Sequence, residues 1–332
     1  MKIEVPVIFK RIVVGWYCIA LILWFSGCQK EELPVPQHNA GEVVTSSVEM
    51  GADYRYQIFY DLKTNTIIAQ NLKTDWDLGF ETSKTGYRII LNTSKAMFAR
   101  NTGITDFESV SDTLGFEFNK NWDNPNGNLD STAIGNWKEK NEVYILDRGY
   151  SHTGLHQGFR KIQFLSVNET GYTFRFANLN GSNETQFQVE KDSLYNFTFL
   201  SLSNGGQIVE VEPPKENWDL CFTQYLHIFY DPFTPYLVTG CLLNRTQTYA
   251  TQDSVRLFSE ITYQDIANIA LSSDINTIGY EWKTFVNDTY STNPNLNYII
   301  KNKEGFYFKL HFIDFYNTSG LKGTPKWEVQ EL

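Results

Sequence analysis

A five-residue pattern that occurs twice constrains the fold of this chain more than any other feature. The sequence Trp-Asp-Leu-Gly-Phe at residues 76–80 returns as Trp-Asp-Leu-Cys-Phe at residues 218–222. Three weaker echoes follow in the same order, and the motif tryptophan is separated from the next shared tryptophan by 61 residues in one copy and 64 in the other. Collinear repeats at near-equal spacing indicate that one structural unit has been duplicated. The sequence therefore predicts two similar modules, residues 52–189 and residues 190–332.

Both copies have the alternation of half-buried β-strands. Within residues 76–80 and 218–222, the apolar residues alternate with polar or small ones, and residues 172–176 and 306–310 show the same period of two. Clusters of Gly, Asn and Ser between these stretches are typical of turns. We therefore predict a mainly β fold of two similar antiparallel β modules with minor short helices. The Trp, Leu and Phe of each motif are expected on one buried face.

Two segments have helical signals. In residues 262–271, Thr262 and Asp265 have the spacing of a capping box, and the apolar residues that follow keep helical spacing. A shorter helix is predicted for residues 105–110.

The first 27 residues have the composition of a lipoprotein signal peptide. Basic residues precede an apolar stretch of 14 residues (12–25), which is shorter than the roughly 20 residues that span a bilayer. Residues 25–28, Phe-Ser-Gly-Cys, resemble a lipobox, which predicts cleavage before Cys28 and acylation of its thiol. Residues 28–51 follow as an acidic, Pro-containing linker. We expect attachment to outer-membrane lipid through Cys28 and exposure at the cell surface; an uncleaved anchor helix is the alternative.

Two cysteines remain for the folded part of the chain, since Cys18 lies in the signal peptide and Cys28 would carry lipid. The midpoint between Cys221 and Cys241 is residue 231, where Asp-Pro-Phe-Thr-Pro at residues 231–235 favours a turn. A hairpin centred there would bring the two cysteines close across a sheet. Both a disulfide in an oxidising compartment and a pair of small buried thiols fit this arrangement.

Charge and motifs exclude several classes of function. The chain has 28 Lys and Arg against 38 Asp and Glu, a formal net charge of −10, which disfavours nucleic acid as a partner because phosphates require a basic surface. The sequence contains no nucleophile elbow, phosphate-binding loop, HExxH helix or CxxC pair. We therefore predict no catalytic residues, no metal site and a protein that is not an enzyme.

Histidines are the first residues to consider for ligand binding. His152 and His156 lie four residues apart, and an extended chain would place them on one face at a distance of about 13 Å. Both could ligate one ion only if the chain folded back at Gly154. We expect His227 and His311, which lie in strand patterns, to be surface or hydrogen-bonded residues.

The sequence also resembles a known family, the HmuY-like lipoproteins of Bacteroidetes. The resemblance is strongest in the second copy and extends to the first through the repeat. It is carried by residues 218–222, 282–285, 298–300, 305–310, 312–317 and 320–328.

This resemblance implies an all-β fold, a lipid anchor and scavenging of haem beside a TonB-dependent transporter. Relatives that bind haem place His or Met ligands on loops near the Trp strand, whereas residues 285–290 of this chain contain neither. Tyr290 is the residue of this stretch that can ligate haem iron. The candidate haem ligands are therefore His152, His156 and Tyr290.

Two functions follow as hypotheses. The first is a non-catalytic surface lipoprotein that captures haem or a porphyrin-like ligand for uptake. The second is a surface adhesion or assembly protein that uses the same β scaffold without haem. The many Phe and Tyr residues fit either hypothesis, because they can fill two cores or stack on a flat ligand.

Overall fold

The computed structural model describes residues Ala40–Leu332, which form one compact unit. The predicted signal peptide, Cys28 and the first part of the predicted linker lie outside the described residues. Within Ala40–Leu332, no helix is both long enough and apolar enough to cross a membrane.

Strands dominate these residues, which confirms the predicted fold class. Sheet 1 consists, in spatial order, of β12 (Gln207–Val209), β11 (Phe197–Ser201), β4 (Leu78–Glu81) and β5 (Ile89–Leu91). Sheet 2 consists of β10 (Thr185–Glu190), β9 (Gly171–Ala177), β8 (Phe159–Val167), β7 (Val143–Asp147) and β6 (Phe98–Asn101). Sheet 3 consists of β14 (Phe233–Leu243), β13 (Leu220–Tyr230), β2 (Tyr56–Asp61) and β3 (Thr66–Leu72). Sheet 4 consists of β1 (Val44–Ser47), β20 (Lys322–Glu331), β19 (Tyr307–Tyr316), β18 (Asn297–Lys301) and β15 (Tyr249–Asp253). A separate hairpin consists of β16 (Lys283–Val286) and β17 (Thr289–Thr292).

The sheets stack in four layers, in the order 2, 1, 3 and 4. Alternating apolar residues of sheets 1 and 2, such as Leu78 and Phe174, form one core, and those of sheets 3 and 4, such as Phe222 and Trp327, form another. A third cluster lies between sheets 1 and 3, where Phe199 and Cys221 belong to the same apolar contact. Burial of large apolar side chains on both faces of the two inner sheets stabilises the stack, at about 1.5–3 kcal/mol for each fully buried side chain.

The two halves of the chain exchange hairpins. The hairpin β2–β3 precedes the first motif strand, β4, yet β2 pairs with the second motif strand, β13, in the register Tyr60 to Leu220. The hairpin β11–β12 precedes β13, yet β11 pairs with β4 in the register Leu200 to Leu78. Sheets 1 and 3 therefore each combine strands from before and after residue 190, the boundary between the two copies of the sequence repeat.

Each exchanged hairpin is held by the aspartate of the repeated motif. Asp77 Oδ2 accepts a hydrogen bond from the backbone N–H of Leu202 at 2.7 Å, directly after β11. Asp219 Oδ2 accepts the equivalent bond from the backbone N–H of Leu62 at 2.9 Å, directly after β2. Both carboxylates are fully buried. The recurring Asp therefore fixes the place at which one half of the chain docks on the other.

The prediction that each motif tryptophan shares a face with the following Leu and Phe is wrong. Leu78 and Leu220 face the two outer cores, but Trp76 and Trp218 belong to the apolar cluster between sheets 1 and 3. The strands begin only at Leu78 and Leu220, so the two tryptophans precede the regular alternation. Trp76 and Trp218 pack in the interface between sheets 1 and 3.

The hairpin predicted around residue 231 is present, and the two cysteines are free. In the β13–β14 ladder Cys221 is opposite Leu242, and Cys241 is opposite Phe222. Directly opposed residues share a face, and a shift of one residue changes the face. Cys221 therefore points toward sheet 1 and Cys241 toward sheet 4, each buried and unbonded.

The helical predictions have mixed outcomes. Thr262 and Asp265 form the predicted capping box, but the helix is a 3₁₀ helix that ends at Asn268. The helix predicted for residues 105–110 is wrong, since only a turn occurs there, and the α-helix of this region is α1 (Phe116–Asn119). Short 3₁₀ helices also occur at Thr93–Lys95, Leu129–Ser131, Ser203–Gly205, Lys215–Asn217 and Phe258–Glu260.

The linker predicted for residues 28–51 is wrong in its last part. Val44–Ser47 form β1, which pairs with β20 from Val44 opposite Val329 to Ser47 opposite Lys326. β-branched Val44 and Thr45 suit an edge strand of this kind.

Candidate functional site

His156 lies in the loop between β7 and β8 and is already hydrogen-bonded. Its Nε2 is 2.7 Å from Asp147 Oδ1, and its ring lies between those of Tyr150 and Phe159, with centroids 5.2 and 5.4 Å away. The carboxylate therefore occupies the nitrogen that a histidine most often offers to a metal or to haem iron.

His152 lies on the other side of the same loop. The chain folds back as the prediction required, with the backbone N–H of Ser151 donating to the carbonyl of Leu155 at 2.8 Å. His152 is half-buried and its Nδ1 has no hydrogen-bond partner. It lies near Asp75, whose pKa is raised by burial and, in the opposite sense, lowered by this histidine. His152 and His156 have no partner in common among the described contacts.

Tyr290 belongs to a different part of the molecule. Its ring packs between those of Phe285 and Phe315, with centroids 4.7 and 4.9 Å away, and its backbone N–H donates to Tyr316 Oη at 2.7 Å. Tyr290 shares no described contact with His152 or His156.

Tyr290 instead lies with other tyrosines close to the β13–β14 hairpin. Burial raises the pKa of Tyr54, and Tyr290, Tyr316 and Tyr236 raise it further in that order. Tyr236 belongs to β14, so this hairpin and Tyr290 border the same region.

A histidine that the sequence did not single out lies at the centre of an aromatic surface on this hairpin. His227 on β13 is opposite Tyr236 on β14, and Phe229 follows two residues later on the same face. The ring of His227 is 4.8 Å from Phe229 and 5.0 Å from Tyr280, and Phe229 is 6.3 Å from both Tyr236 and Tyr280. We call these four residues, His227, Phe229, Tyr236 and Tyr280, the His227 cluster.

The cluster faces solvent. Phe229 is 40% exposed and Tyr236 is 59% exposed, although large apolar rings are normally covered. The opposite side of the hairpin is covered, because Leu226 and Ile228 pack against the outer face of sheet 2. One face of β13 is thus anchored, and the other presents rings to solvent.

The electrostatics of His227 favour its neutral form. Burial lowers the pKa of its imidazole, and Glu281 opposes this only in part. No described group hydrogen-bonds to His227, and its Nδ1 is buried without a partner. A neutral imidazole whose Nε2 carries no hydrogen bond is the form that binds metal ions and haem iron.

His311 shows the contrasting case and confirms the expectation of a hydrogen-bonded residue. Its Nε2 is 2.9 Å from Glu328 Oε2, and its ring stacks on Phe258 with centroids 4.2 Å apart. His227 meets the same expectation in the other way, since it reaches the surface and has no hydrogen bond among the described residues. The alternation Tyr225, His227, Phe229 along one strand is the signal that could have identified it.

The described residues contain no group of three or more His, Cys, Asp or Glu side chains that could hold a metal ion by themselves. A flat aromatic ligand that brings its own iron needs only one such ligand and a surface on which to stack. The His227 cluster, bordered by Tyr290, has both features, and it defines a class of protein: a mainly β protein with a histidine-centred aromatic surface that faces solvent.

Comparison with known families identifies the chain more closely. The family model described as HmuY protein matches residues 53–191 and 235–329, which together are more than half of the sequence. The chain belongs to the HmuY family, as its motifs predicted. A comparison with curated protein sequences gives no match.

Three solved structures of similar proteins come from named bacteria. One from Bacteroides vulgatus, described as an HmuY-like haem-binding protein, is 13% identical, with 86% of this chain and 90% of that chain covered and a TM-score of 0.23. Apo PinO from Porphyromonas gingivitis is 9% identical, with coverages of 88% and 97% and a TM-score of 0.27. The apo HmuY analogue of Tannerella forsythia is 11% identical, with coverages of 89% and 98% and a TM-score of 0.24. At these TM-scores the superpositions add nothing to the strand pairing described above.

Proposed function

We propose that this protein is a non-catalytic binding protein that captures haem, or a porphyrin-like ligand, at the His227 cluster. The observation that carries the proposal is a neutral, unpartnered histidine within an exposed aromatic surface. Membership of the HmuY family supports it, and so does the description of the relative from Bacteroides vulgatus as haem-binding.

The chemistry of the surface fits such a ligand. Porphyrins are flat and aromatic, so exposed rings such as Phe229 and Tyr236 can stack on them. His227 would supply the nitrogen that coordinates the iron. Tyr290, on the neighbouring hairpin, remains a candidate for a second ligand. His156 fits less well because Asp147 occupies its Nε2.

The proposed setting is the bacterial surface. Acylation at Cys28 would attach the chain to outer-membrane lipid, and a TonB-dependent transporter would receive the captured ligand. The predicted signal peptide, the lipobox and the family membership support this setting.

An adhesion or assembly role without haem is the rival proposal, and one observation favours it. The tip of the β13–β14 hairpin exposes Tyr230 by 75% and Phe233 by 52%, which suits contact with a protein partner. Co-purification of an outer-membrane transporter with the chain would favour uptake, whereas recovery of a polysaccharide or a structural surface protein would favour adhesion.

Titration of purified residues 29–332 with hemin, followed by absorbance in the Soret region, tests the proposal. We expect a saturable spectral shift with hemin and weaker binding of metal-free protoporphyrin IX, because only the iron can use His227. Equal binding of the two porphyrins would mean that stacking acts without ligation. No saturable change with hemin would remove the haem proposal.

A further inference from the structure

A second possible site lies inside the molecule, where the two halves of the chain meet. A cavity of about 130 Å³ lies between sheets 1 and 3. Its walls are mainly apolar and aromatic, formed by Phe59, Trp76, Ile90, Phe197, Phe199 and Trp218. An apolar cavity of roughly 150 Å³ is known to bind benzene. The space therefore suits one small ring and is far too small for a porphyrin.

The acidic groups of the cavity have their partners in the backbone. Asp123 accepts hydrogen bonds from the backbone N–H groups of Ala133 at 2.8 Å and Leu91 at 2.7 Å. Glu212 Oε1 accepts from the backbone N–H groups of Asn196 at 2.6 Å and Phe197 at 3.0 Å. Each carboxylate is thus held in place by two backbone donors.

Donors, by contrast, remain available. Trp218 is 4% exposed, and its Nε1–H has no hydrogen-bond partner in the described part of the chain. A buried donor without a partner costs about 1–3 kcal/mol, so a ligand acceptor placed there would be favoured. Arg245 donates to the carbonyl of Gly127, and no carboxylate among the described residues lies within salt-bridge distance of its guanidinium. Among the described residues that line the cavity, Trp218 thus carries a buried donor without a partner.

The geometry points to a ligand site in the cavity between sheets 1 and 3 for a small, neutral aromatic molecule of about phenol size that carries one acceptor oxygen. The aromatic walls hold the ring, and Trp218 Nε1–H, with Arg245 beside the cavity, pairs with the oxygen. The proposed ligand is neutral because the cavity walls are mainly apolar, and burial of a charge against such walls is costly. The site is separate from the His227 cluster and does not depend on haem binding.

Nitrogen-15 NMR of the indole N–H groups tests this site, with phenol as the probe and toluene as a control of nearly the same shape. Trp218→Phe assigns the cross-peak of Trp218 in residues 29–332. We expect phenol to move this cross-peak saturably, and toluene to move it less at equal concentration because toluene has no acceptor. A shift that grows linearly with phenol, or equal shifts with both molecules, would overturn the proposal.

A variant with a filled cavity gives a second readout. Cys221→Leu adds volume at the cavity wall, and we expect it to abolish the saturable shift while the other indole cross-peaks stay dispersed. Should Cys221→Leu unfold, Leu242→Phe at the half-buried edge replaces it. Persistence of the phenol shift in a folded, filled variant would contradict the proposed location.

Discussion

The buried carboxylate of Asp77 accepts a hydrogen bond from the backbone N–H of Leu202, with Oδ2 and N 2.7 Å apart, although 125 residues separate the two in sequence. The same carboxylate forms ion pairs with Lys95 and with Arg148, whose Nη2 is 2.9 Å away. Burial opposes ionisation of Asp77, but these two cations reverse the effect and hold its pKa below the ordinary value. One side chain thus holds an exchanged hairpin and pairs with two buried cations.

We expect Asp77→Asn to destabilise the protein strongly. The amide keeps the shape of the side chain but removes the carboxylate that pairs with the buried Lys95 and Arg148, and breaking a buried ion pair typically costs about 3–5 kcal/mol. Urea denaturation followed by tryptophan fluorescence measures the loss. Asp130→Asn is the matched control, because the side chain of Asp130, which pairs with Arg88, is 75% exposed. Its loss should cost less than about 1 kcal/mol. Equal losses in the two variants would contradict the role given to Asp77.

The exchange of hairpins predicts which fragments can fold. Residues 74–212 contain every strand of sheets 1 and 2, whereas residues 52–189 carry the hairpin β2–β3 and lack β11, the partner of β4. We expect the first fragment to be the more soluble and to keep more protected amides in hydrogen exchange. Better folding of residues 52–189 would mean that the sequence repeat, and not the observed sheet membership, defines the folding unit.

Stability should fall as the pH rises from about 4.5 to about 7. Burial raises the pKa of Glu212 from 4.5 to about 7 and that of Asp123 from 3.8 to about 6, with backbone hydrogen bonds and Arg245 opposing the shifts. In this range the unfolded chain loses these protons while the folded chain keeps them, so ionisation favours the unfolded state. Glu212→Gln should flatten the slope by up to about 1.4 kcal/mol per pH unit. Urea denaturation at several pH values measures it, and an unchanged slope in Glu212→Gln would exclude Glu212 as its source.

Thiol titration tests the placement of the cysteines. Cys221 and Cys241 are the cysteines of residues 29–332, and both are buried and free. Burial also raises the pKa of each thiol, which lowers its reactivity further. We therefore expect almost no reaction with a thiol reagent in the native protein and two reactive thiols in non-reducing denaturant. Fewer than two in denaturant would show a disulfide and contradict the observed register.

The sequence predicted the elements better than their partners. Alternation of apolar residues identified the strands of both copies, and the prolines at residues 232 and 235 located the β13–β14 turn. Sequence periodicity says nothing about which strand pairs with which, so the pairing of β2 with β13 could not be predicted. The cysteines show that a shift of one residue in register is decisive. A register in which Cys221 opposed Cys241 would have placed both on one face of the sheet. The observed register is offset by one residue and places them on opposite faces.

The candidate site was only partly predictable for a similar reason. His152 and His156 were predicted as candidates because they lie close in sequence. Asp147, which forms a hydrogen bond with Nε2 of His156, is nine residues away, and this contact depends on the fold of the loop. His227 became a candidate because its ring packs against that of Tyr280, a residue that is distant in sequence and close in space.

Hemin binding by His227→Ala and His156→Ala, compared with that of the unchanged chain, tests whether the His227 cluster holds the ligand. Both residues are exposed or half-buried, so neither substitution should unfold the protein, and thermal denaturation checks this. We expect His227→Ala to lose the Soret shift and to weaken hemin binding at least tenfold, which corresponds to about 1.4 kcal/mol, whereas His156→Ala should bind as the unchanged chain does. Normal hemin binding by His227→Ala together with loss of binding by His156→Ala would contradict a haem site at the His227 cluster. It would place the ligand on the loop between β7 and β8.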